Sequence, residues 1–98
     1  MMEARPYDET AAEIFRNDPA LAAETLTEIL KDGDQGELLV IIRQIALAHG
    51  GLQKVAQKAE VNKTQIYRTL SETGNPELRT FKAILDALGF HLAVQPRS

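Results

Sequence analysis

The sequence contains no cysteine and no tryptophan, and only 5% of its residues are aromatic. Without cysteine, neither a disulfide framework nor a cysteine metal site or nucleophile is available, and a reducing cytoplasm fits that absence. No apolar run approaches the roughly 20 residues needed to span a bilayer, and the first ten residues lack the apolar core of a signal peptide. We therefore expect a cytoplasmic protein without a membrane partner.

The sequence also lacks a recognisable catalytic constellation. Its two histidines, His49 and His91, have no cysteine and no serine or carboxylate at a spacing typical of a nucleophilic site. Its six glycines mark predicted helix boundaries and form no phosphate-binding loop. An enzyme is therefore not expected, and neither catalytic residues, a cofactor nor a metal site is predicted.

The chain has 98 residues, of which 44% are hydrophobic and mostly aliphatic, so one helical domain with one core is expected over 1–98. The net charge of −3 is unevenly distributed. Residues 1–40 hold ten acids against three bases, a balance of −7, whereas residues 41–98 have a balance of +4. This asymmetry suggests different partners for the two halves; the alternative is that the acids only solvate helix surfaces.

Three helices are predicted in the first half. Tyr7–Asn17 is a short helix capped by Asp8. Pro19–Lys31 is capped by Asp18 and ends at Gly33, because proline is tolerated at the first helical position and glycine favours a helix end. Leu38–His49 follows the Asp34 cap, with Glu37 three residues later, and is apolar over most of its circumference, so it belongs in the centre. The apolar face of the second helix comprises Ala22, Leu26, Ile29 and Leu30.

The stretch Leu52–Leu70 has the pattern of a helix-turn-helix. Apolar residues at helical spacing form one stripe in each helix: Val55, Ala56 and Ala59 in the first, Ile66 and Leu70 in the second. The small side chain of Ala56 permits a close helix crossing. Between the stripes, Glu60-Val61-Asn62 forms the turn, with Asn62 as N-cap and Gln65 completing a box-like cap.

The end of the chain is predicted to hold one more helix and a strand. Gly74 and Pro76 terminate the second helix of the pair, and Thr80 caps a helix over Phe81–Leu88 that ends at Gly89. From 90 to 95, apolar and other residues alternate, which predicts a short β-strand that pairs with a second copy of the chain. An extended tail lying on the core is the alternative.

The outward face of the second helix of the pair is the candidate DNA-reading surface. Thr64 and Arg68 point away from the apolar stripe, and Lys63 and Gln65 adjoin them, so these four are predicted to contact bases. The residues better suited to phosphates are Gln53, Lys54, Asn62 and Tyr67. The alternative is that all of them form only the solvated face of a helical hairpin.

The segment Leu70–Pro76, LSETGNP, and the following TFKAILDALGF of residues 80–90 resemble the end of the addiction-module antidote proteins. The resemblance extends upstream through Ile66-Tyr67-Arg68 and Asp32-Gly33-Asp34, and covers most of the chain from about Tyr7. These are helix-turn-helix antitoxins of type II toxin-antitoxin pairs, of the HigA kind, related to the lambda-repressor-like regulators. Glu60 departs from the pattern, because the corner residue of a helix-turn-helix is usually glycine.

The resemblance implies an all-α, lambda-repressor-like helix-turn-helix bundle, to which the residue pattern adds extra N-terminal helices and a short C-terminal β-strand. It also implies an antitoxin that represses its own operon and neutralises a basic RelE/HigB-like ribonuclease toxin. Because one helix-turn-helix covers little DNA, we expect it to bind double-stranded operator DNA as a homodimer. In this interpretation, residues 34–90 form the DNA-binding core, and the acidic helices of 7–33 bind the toxin or only complete the core. Two alternatives are a stand-alone Cro/CI-type repressor without a toxin and a helical interaction module that does not bind DNA.

Overall fold

A computed structural model describes residues 6–71 and 75–97 of the chain. All the regular secondary structure in these residues is helical, which confirms the predicted all-α class. The helices are α1 Pro6–Asn17, α2 Pro19–Asp32, α3 Gln35–Ala48, α4 Leu52–Ala59, α5 Lys63–Thr69 and α6 Leu78–Ala87. None of the helices in the described part of the chain is both long enough and apolar enough to cross a bilayer.

The first two helix junctions are fixed by side chains that accept hydrogen bonds from the helix start. A carboxylate oxygen of Asp18 accepts from the Leu21 amide at 3.0 Å, and one of Asp34 accepts from the Glu37 amide at 2.8 Å. The Gly33 amide donates to the Ile29 carbonyl at 2.7 Å and closes α2. Each of these bonds satisfies a backbone group that a helix end would otherwise leave unpaired, and the predicted caps at Asp18 and Asp34 are confirmed.

Helix α3 lies at the centre of the fold, as predicted. It packs against α1, α2 and α4, while α4 in turn packs against α5 and α6. Its side chains Leu39, Ile42, Ile45 and Ala46 are almost completely inaccessible to solvent. Ala22 and Leu26 of α2 belong to the same buried cluster. Helix α2 therefore contributes to the single core on which the C-terminal helices are also built.

Helix α1 is joined to α3 by polar contacts that its sequence did not predict. Asp8 lies inside α1 and is buried, and its carboxylate accepts a hydrogen bond from the side chain of Gln44 at 2.9 Å. The predicted capping role of Asp8 is therefore wrong, because Pro6 already begins the helix. At the other end of α1, Arg16 donates to the Ala48 carbonyl at 3.3 Å, so it satisfies part of the C-terminus of α3.

The apolar face predicted for α2 is correct for Ala22, Leu26 and Ile29 and wrong for Leu30. Ala22 and Leu26 are buried and Ile29 is half-buried, whereas the Leu30 side chain is 50% exposed. The reason is geometric: Leu30 is rotated by about 100° from Ile29 around the helix axis and lies at the outer edge of the apolar stripe, beyond Leu26. Leu30 leaves an apolar side chain at the surface of α2.

The last helix begins earlier than predicted. Helix α6 starts at Leu78 after an N-cap at Glu77, whose side chain makes no capping bond. Thr80 is therefore not a cap; it is buried in the first turn, where its hydroxyl oxygen accepts a hydrogen bond from Gln65. The helix ends at Ala87, one residue before the predicted end, and Leu88 is its C-cap. Gly89 follows with a φ of +90°, and the Phe90 amide donates back to the Leu85 carbonyl at 2.9 Å.

The predicted C-terminal β-strand is not present. Residues 90–97 have no regular secondary structure, and residues 91–97 are all exposed. A strand needs a neighbouring strand to satisfy its backbone groups, and the described residues of this chain provide none. The alternation of residues 90–95 therefore produces no sheet within one chain, and it also produces no tail buried on the core beyond the half-buried Phe90.

The central position of α3 makes a prediction about stability. Ile42 is 0% exposed, so Ile42→Ala is expected to lower the free energy of unfolding by about 2–5 kcal/mol through lost transfer energy and a cavity. Leu30→Ala serves as the matched control and is expected to cost less than about 1 kcal/mol, since that side chain is half exposed. Urea denaturation followed by far-UV circular dichroism measures both. Equal losses for the two variants would contradict the assignment of α3 as the central helix.

Candidate nucleic-acid interface

Helices α4 and α5 are joined by a turn in which Glu60 has a left-handed backbone. Glu60 has φ 59° and ψ 38°, and the Val61 amide donates to the Ala56 carbonyl at 3.0 Å. Every other positive φ among the described residues belongs to a glycine. A residue with a Cβ loses roughly 1–2 kcal/mol of stability in this conformation. The turn is therefore formed at the cost of backbone strain at Glu60.

The start of α5 is fixed by Asn62, as predicted. The side-chain oxygen of Asn62 accepts a hydrogen bond from the Gln65 amide at 2.7 Å. The other half of the predicted cap does not form, because the Gln65 side chain donates instead to the Thr80 hydroxyl at 3.2 Å. Gln65 therefore ties α5 to the first turn of α6. Because the cap uses only the oxygen of the Asn62 amide, its NH₂ group remains a donor.

The inner faces of α4 and α5 are buried where the two predicted apolar stripes meet the core. Ile66 and Leu70 are both 0% exposed, Val55 and Ala56 are buried, and Ala59 is half-buried. All five contribute to the same core assembly. This burial sets the rotation of α5 about its own axis, and it determines which side chains face outward.

The outward face of α5 carries the four predicted base-contacting residues. Lys63, Thr64, Gln65 and Arg68 are all exposed. Thr64 and Arg68 lie four residues apart, on the side opposite Ile66 and Leu70. The side chains of Lys63, Thr64 and Arg68 make no hydrogen bond or ion pair with any residue that the structure describes. Apart from Gln65, these polar groups are thus available to a ligand.

The residues predicted to contact phosphates lie at two places. Gln53 and Lys54 are exposed in the first turn of α4, whose N-cap, Gly51, has no side chain to satisfy the helix start. Asn62 is exposed at the start of α5, whereas Tyr67 is half-buried and packs against the core. Asn62 and the start of α4 therefore present donors suited to an anion, while much of the Tyr67 ring serves packing.

Lys54 lies against the turn that follows α3. Gly50 has φ +99°, and a Cβ at this position would lie 2.6 Å from Cδ of Lys54. The aliphatic part of the Lys54 side chain thus lies directly over Gly50, where the positive φ favours glycine.

The electrostatic balance of this region is positive. Its four cations, Lys54, Lys58, Lys63 and Arg68, are exposed and form no ion pair within the described part of the chain. Glu60 is the one acid between residues 52 and 71. Clustered unpaired cations attract a polyanion, and their attraction to phosphates weakens as salt concentration rises.

Sequence reasoning did not identify His49 and Gln57 as part of this region. They line a shallow groove of about 440 Å³ together with Lys54, Val55, Lys58 and Ala87. Partial burial, together with the charge of Lys58, lowers the pKa of His49 from its ordinary value of 6.5. Helical spacing within α4 placed Lys54 and Lys58 on one side, but the approach of His49 depends on the turn at Gly50 and Gly51. The predicted helix terminator Gly74 lies outside the described residues.

Comparison with known proteins identifies the family. Residues 4–96 match the family described as "Probable addiction module antidote protein". The chain is also 31% identical over 70 residues to an uncharacterized protein of Haemophilus influenzae, and this match covers 71% of each chain. No solved structure matches the chain. The chain belongs to the addiction-module antidote family, as the sequence resemblance predicted, and membership of this family indicates an antitoxin with a toxin partner.

The left-handed conformation of Glu60 makes a prediction about stability. Glu60→Gly is expected to raise the free energy of unfolding by about 1 kcal/mol, because glycine adopts this conformation without the Cβ penalty. Glu60→Ala removes the same carboxylate but keeps a Cβ, so it is the control and should leave stability nearly unchanged. Thermal and urea unfolding measure both variants. A gain of equal size for alanine would show that charge, and not backbone strain, is responsible.

The groove makes a prediction about pH. Because the pKa of folded His49 lies below 6.5, the unfolded chain binds more protons at this residue in the interval just below 6.5. The contribution of His49 to the free energy of unfolding therefore rises with pH through that interval and is constant above it. Urea unfolding of the wild type and of His49→Gln over a pH series isolates this contribution as their difference. A difference that falls as pH rises would contradict the assignment.

Proposed function

We propose that this chain is a DNA-binding antitoxin that represses its own operon and neutralises a ribonuclease toxin of the RelE/HigB type. In this proposal α4 and α5 act as a lambda-repressor-like helix-turn-helix, and α5 enters the major groove of operator DNA. The observation that carries the proposal is the outward face of α5, where exposed, unpaired Arg68, Thr64 and Lys63 are held by the buried Ile66 and Leu70. The chain acts by binding and is not an enzyme.

Direct reading of bases rests on the residues whose polar groups are available. An arginine can donate two hydrogen bonds to guanine, which is worth about 1–3 kcal/mol of discrimination, and Arg68 is placed for this role. Lys63 and Thr64 adjoin it on the same exposed surface. Gln65 has its amide nitrogen bonded to Thr80, so its contribution to base reading is through its remaining carbonyl oxygen and through holding α5 in place.

Phosphate contacts fix the register of α5 on the duplex. Gln53 and Lys54 at the start of α4, and the free NH₂ of Asn62 at the start of α5, are suited to adjacent phosphates. Tyr67 contributes its hydroxyl from a ring that packs on the core. These contacts carry no sequence information, so their loss weakens binding to all DNA alike.

A helix of seven residues reads only a short stretch of DNA. We therefore propose a homodimer on a two-fold operator, with half-sites about one helical turn apart. The exposed tail of residues 91–97, with Leu92 and Val94 at the surface, is available to such an interface. Glu60 at the turn carries a negative charge next to the proposed contact and opposes close approach of phosphate.

The proposal makes a prediction for Arg68. Arg68→Ala is expected to weaken binding to the DNA upstream of the chain's own coding sequence by about 5- to 150-fold, corresponding to about 1–3 kcal/mol, because a base contact is lost. Binding to unrelated DNA of equal length should weaken much less. Fluorescence anisotropy at fixed salt measures both affinities, and far-UV circular dichroism verifies folding.

The control for this experiment is Lys31→Ala, which removes the same charge from α2, a helix that does not pack against α5. It should change either affinity by less than about twofold, since exposed charges beyond the Debye length are screened. Equal weakening by Arg68→Ala on both DNAs would contradict base reading by Arg68. Absence of wild-type binding to the upstream DNA would contradict the DNA-binding proposal itself.

Lys54 makes a separate prediction. Lys54→Ala should weaken binding to specific and unrelated DNA by similar factors, and it should reduce the slope of log affinity against log salt by about one, because one phosphate contact is lost. A salt titration of the anisotropy signal measures the slope. If the slope is unchanged, Lys54 does not contact a phosphate.

A further inference from the structure

The outer face of α2 carries a row of three acids spaced one turn apart. Glu24, Glu28 and Asp32 follow each other at intervals of four residues, and all are exposed. Leu21 lies on the same side of the helix, three residues before Glu24 and seven before Glu28, and is 36% exposed. We call Leu21, Glu24, Glu28 and Asp32 the α2 face.

This arrangement weakens α2 in the isolated chain. Like charges four residues apart on a helix repel each other. Asp32 is also the last residue of α2, where the helix dipole already places negative charge. Lys31 is exposed beside the row, but it makes no ion pair with a described residue. The three acids of the α2 face therefore do not stabilise the fold.

The neighbouring helix does not neutralise this charge. The cation of α1 within the described residues, Arg16, is occupied by Glu13 at 3.0 Å and by the backbone carbonyls at the end of α3. Buried Asp8 bonds to Gln44. The remaining exposed acids of α1 and α2 therefore dominate the surface that these helices present.

We propose that the α2 face is the docking surface for the toxin, and that the toxin meets it with lysines and arginines around an apolar contact to Leu21. This inference rests on the proposed antitoxin function. A ribonuclease must hold a polyanion and so presents a basic surface, which the α2 face complements and the basic α4–α5 region repels. DNA is a polyanion, so the basic α4–α5 region attracts it and the α2 face repels it. The charge asymmetry therefore assigns one surface to each partner.

The α2 face has to be tested by substitution and not by deletion, because the inner side of α2 is part of the core. Ala22 and Leu26 belong to the core, so deleting the N-terminal helices would uncover α3 and confuse loss of binding with loss of folding. Substitutions on the exposed side avoid this problem. We select Glu24→Gln combined with Glu28→Gln, which keeps side-chain size and removes two charges.

The test measures binding to the purified product of the reading frame adjoining the chain's own gene, by isothermal titration calorimetry at low and high salt. The double variant is expected to bind roughly tenfold or more weakly at low salt, with a smaller difference at high salt. Its thermal midpoint should rise by roughly 2–5 °C, because the repulsion along α2 is relieved. Weaker binding by a more stable protein is a result that a purely structural role of these acids does not produce.

Two further variants sharpen the test. Glu28→Lys places a cation between Glu24 and Asp32, so it should stabilise α2 further while weakening binding more strongly than the double variant. Asp86→Asn removes one exposed acid from α6, a helix that does not pack against α2, and should leave binding unchanged. These two variants separate the local effect from a change in total charge.

The outcomes distinguish this inference from the function on which it rests. If the wild type does not bind the adjoining product, the antitoxin proposal fails. If the wild type binds and the double variant binds with an affinity within about twofold, the docking surface lies elsewhere although the antitoxin function stands. If the wild type alone self-associates and the double variant does not, the α2 face binds a second copy of this chain, and the inference is wrong.

Discussion

The fold depends on the burial of α3. This helix packs against α1, α2 and α4, and its residues Leu39, Ile42 and Ile45 are almost fully inaccessible to solvent. Because about 25 cal/mol is gained for each Å² of apolar surface removed from water, no helix that covers α3 is a detachable appendage. The acidic helices and the basic helices are therefore parts of one core, and their surfaces are held in a fixed relation.

The two surfaces differ in how their charges are related to stability. On α5, burial of Ile66 and Leu70 turns Arg68 and Thr64 outward, and the left-handed turn at Glu60 sets the path of the chain between α4 and α5. On α2, acids are repeated along one side, where they repel each other. Both surfaces expose unpaired charge; on α2 the mutual repulsion of the acids costs stability, whereas on the α4–α5 side the cost is the backbone strain at Glu60.

Much of the fold was predictable from local signals. Asp18, Asp34 and Asn62 cap helices because a short polar side chain followed by helical periodicity has one favourable local arrangement. Errors arose where a helix begins earlier than its local signals indicate. Asp8 and Thr80 therefore lie inside α1 and α6, where they bond to Gln44 of α3 and Gln65 of α5. The strand expected at 90–95 is absent because strand formation needs a partner strand, which local alternation of residues does not reveal. The groove beside His49 likewise depends on a turn and on α6.

The central claim is that one chain has two separate binding surfaces on a shared core. Hydrogen-exchange mass spectrometry of the chain, alone and with each ligand, tests it most directly. If the two surfaces are separate, the DNA upstream of the gene slows exchange in residues 52–69, and the product of the adjoining reading frame slows exchange in residues 19–32. Protection of the same segment by both ligands, or protection of neither segment, would contradict it.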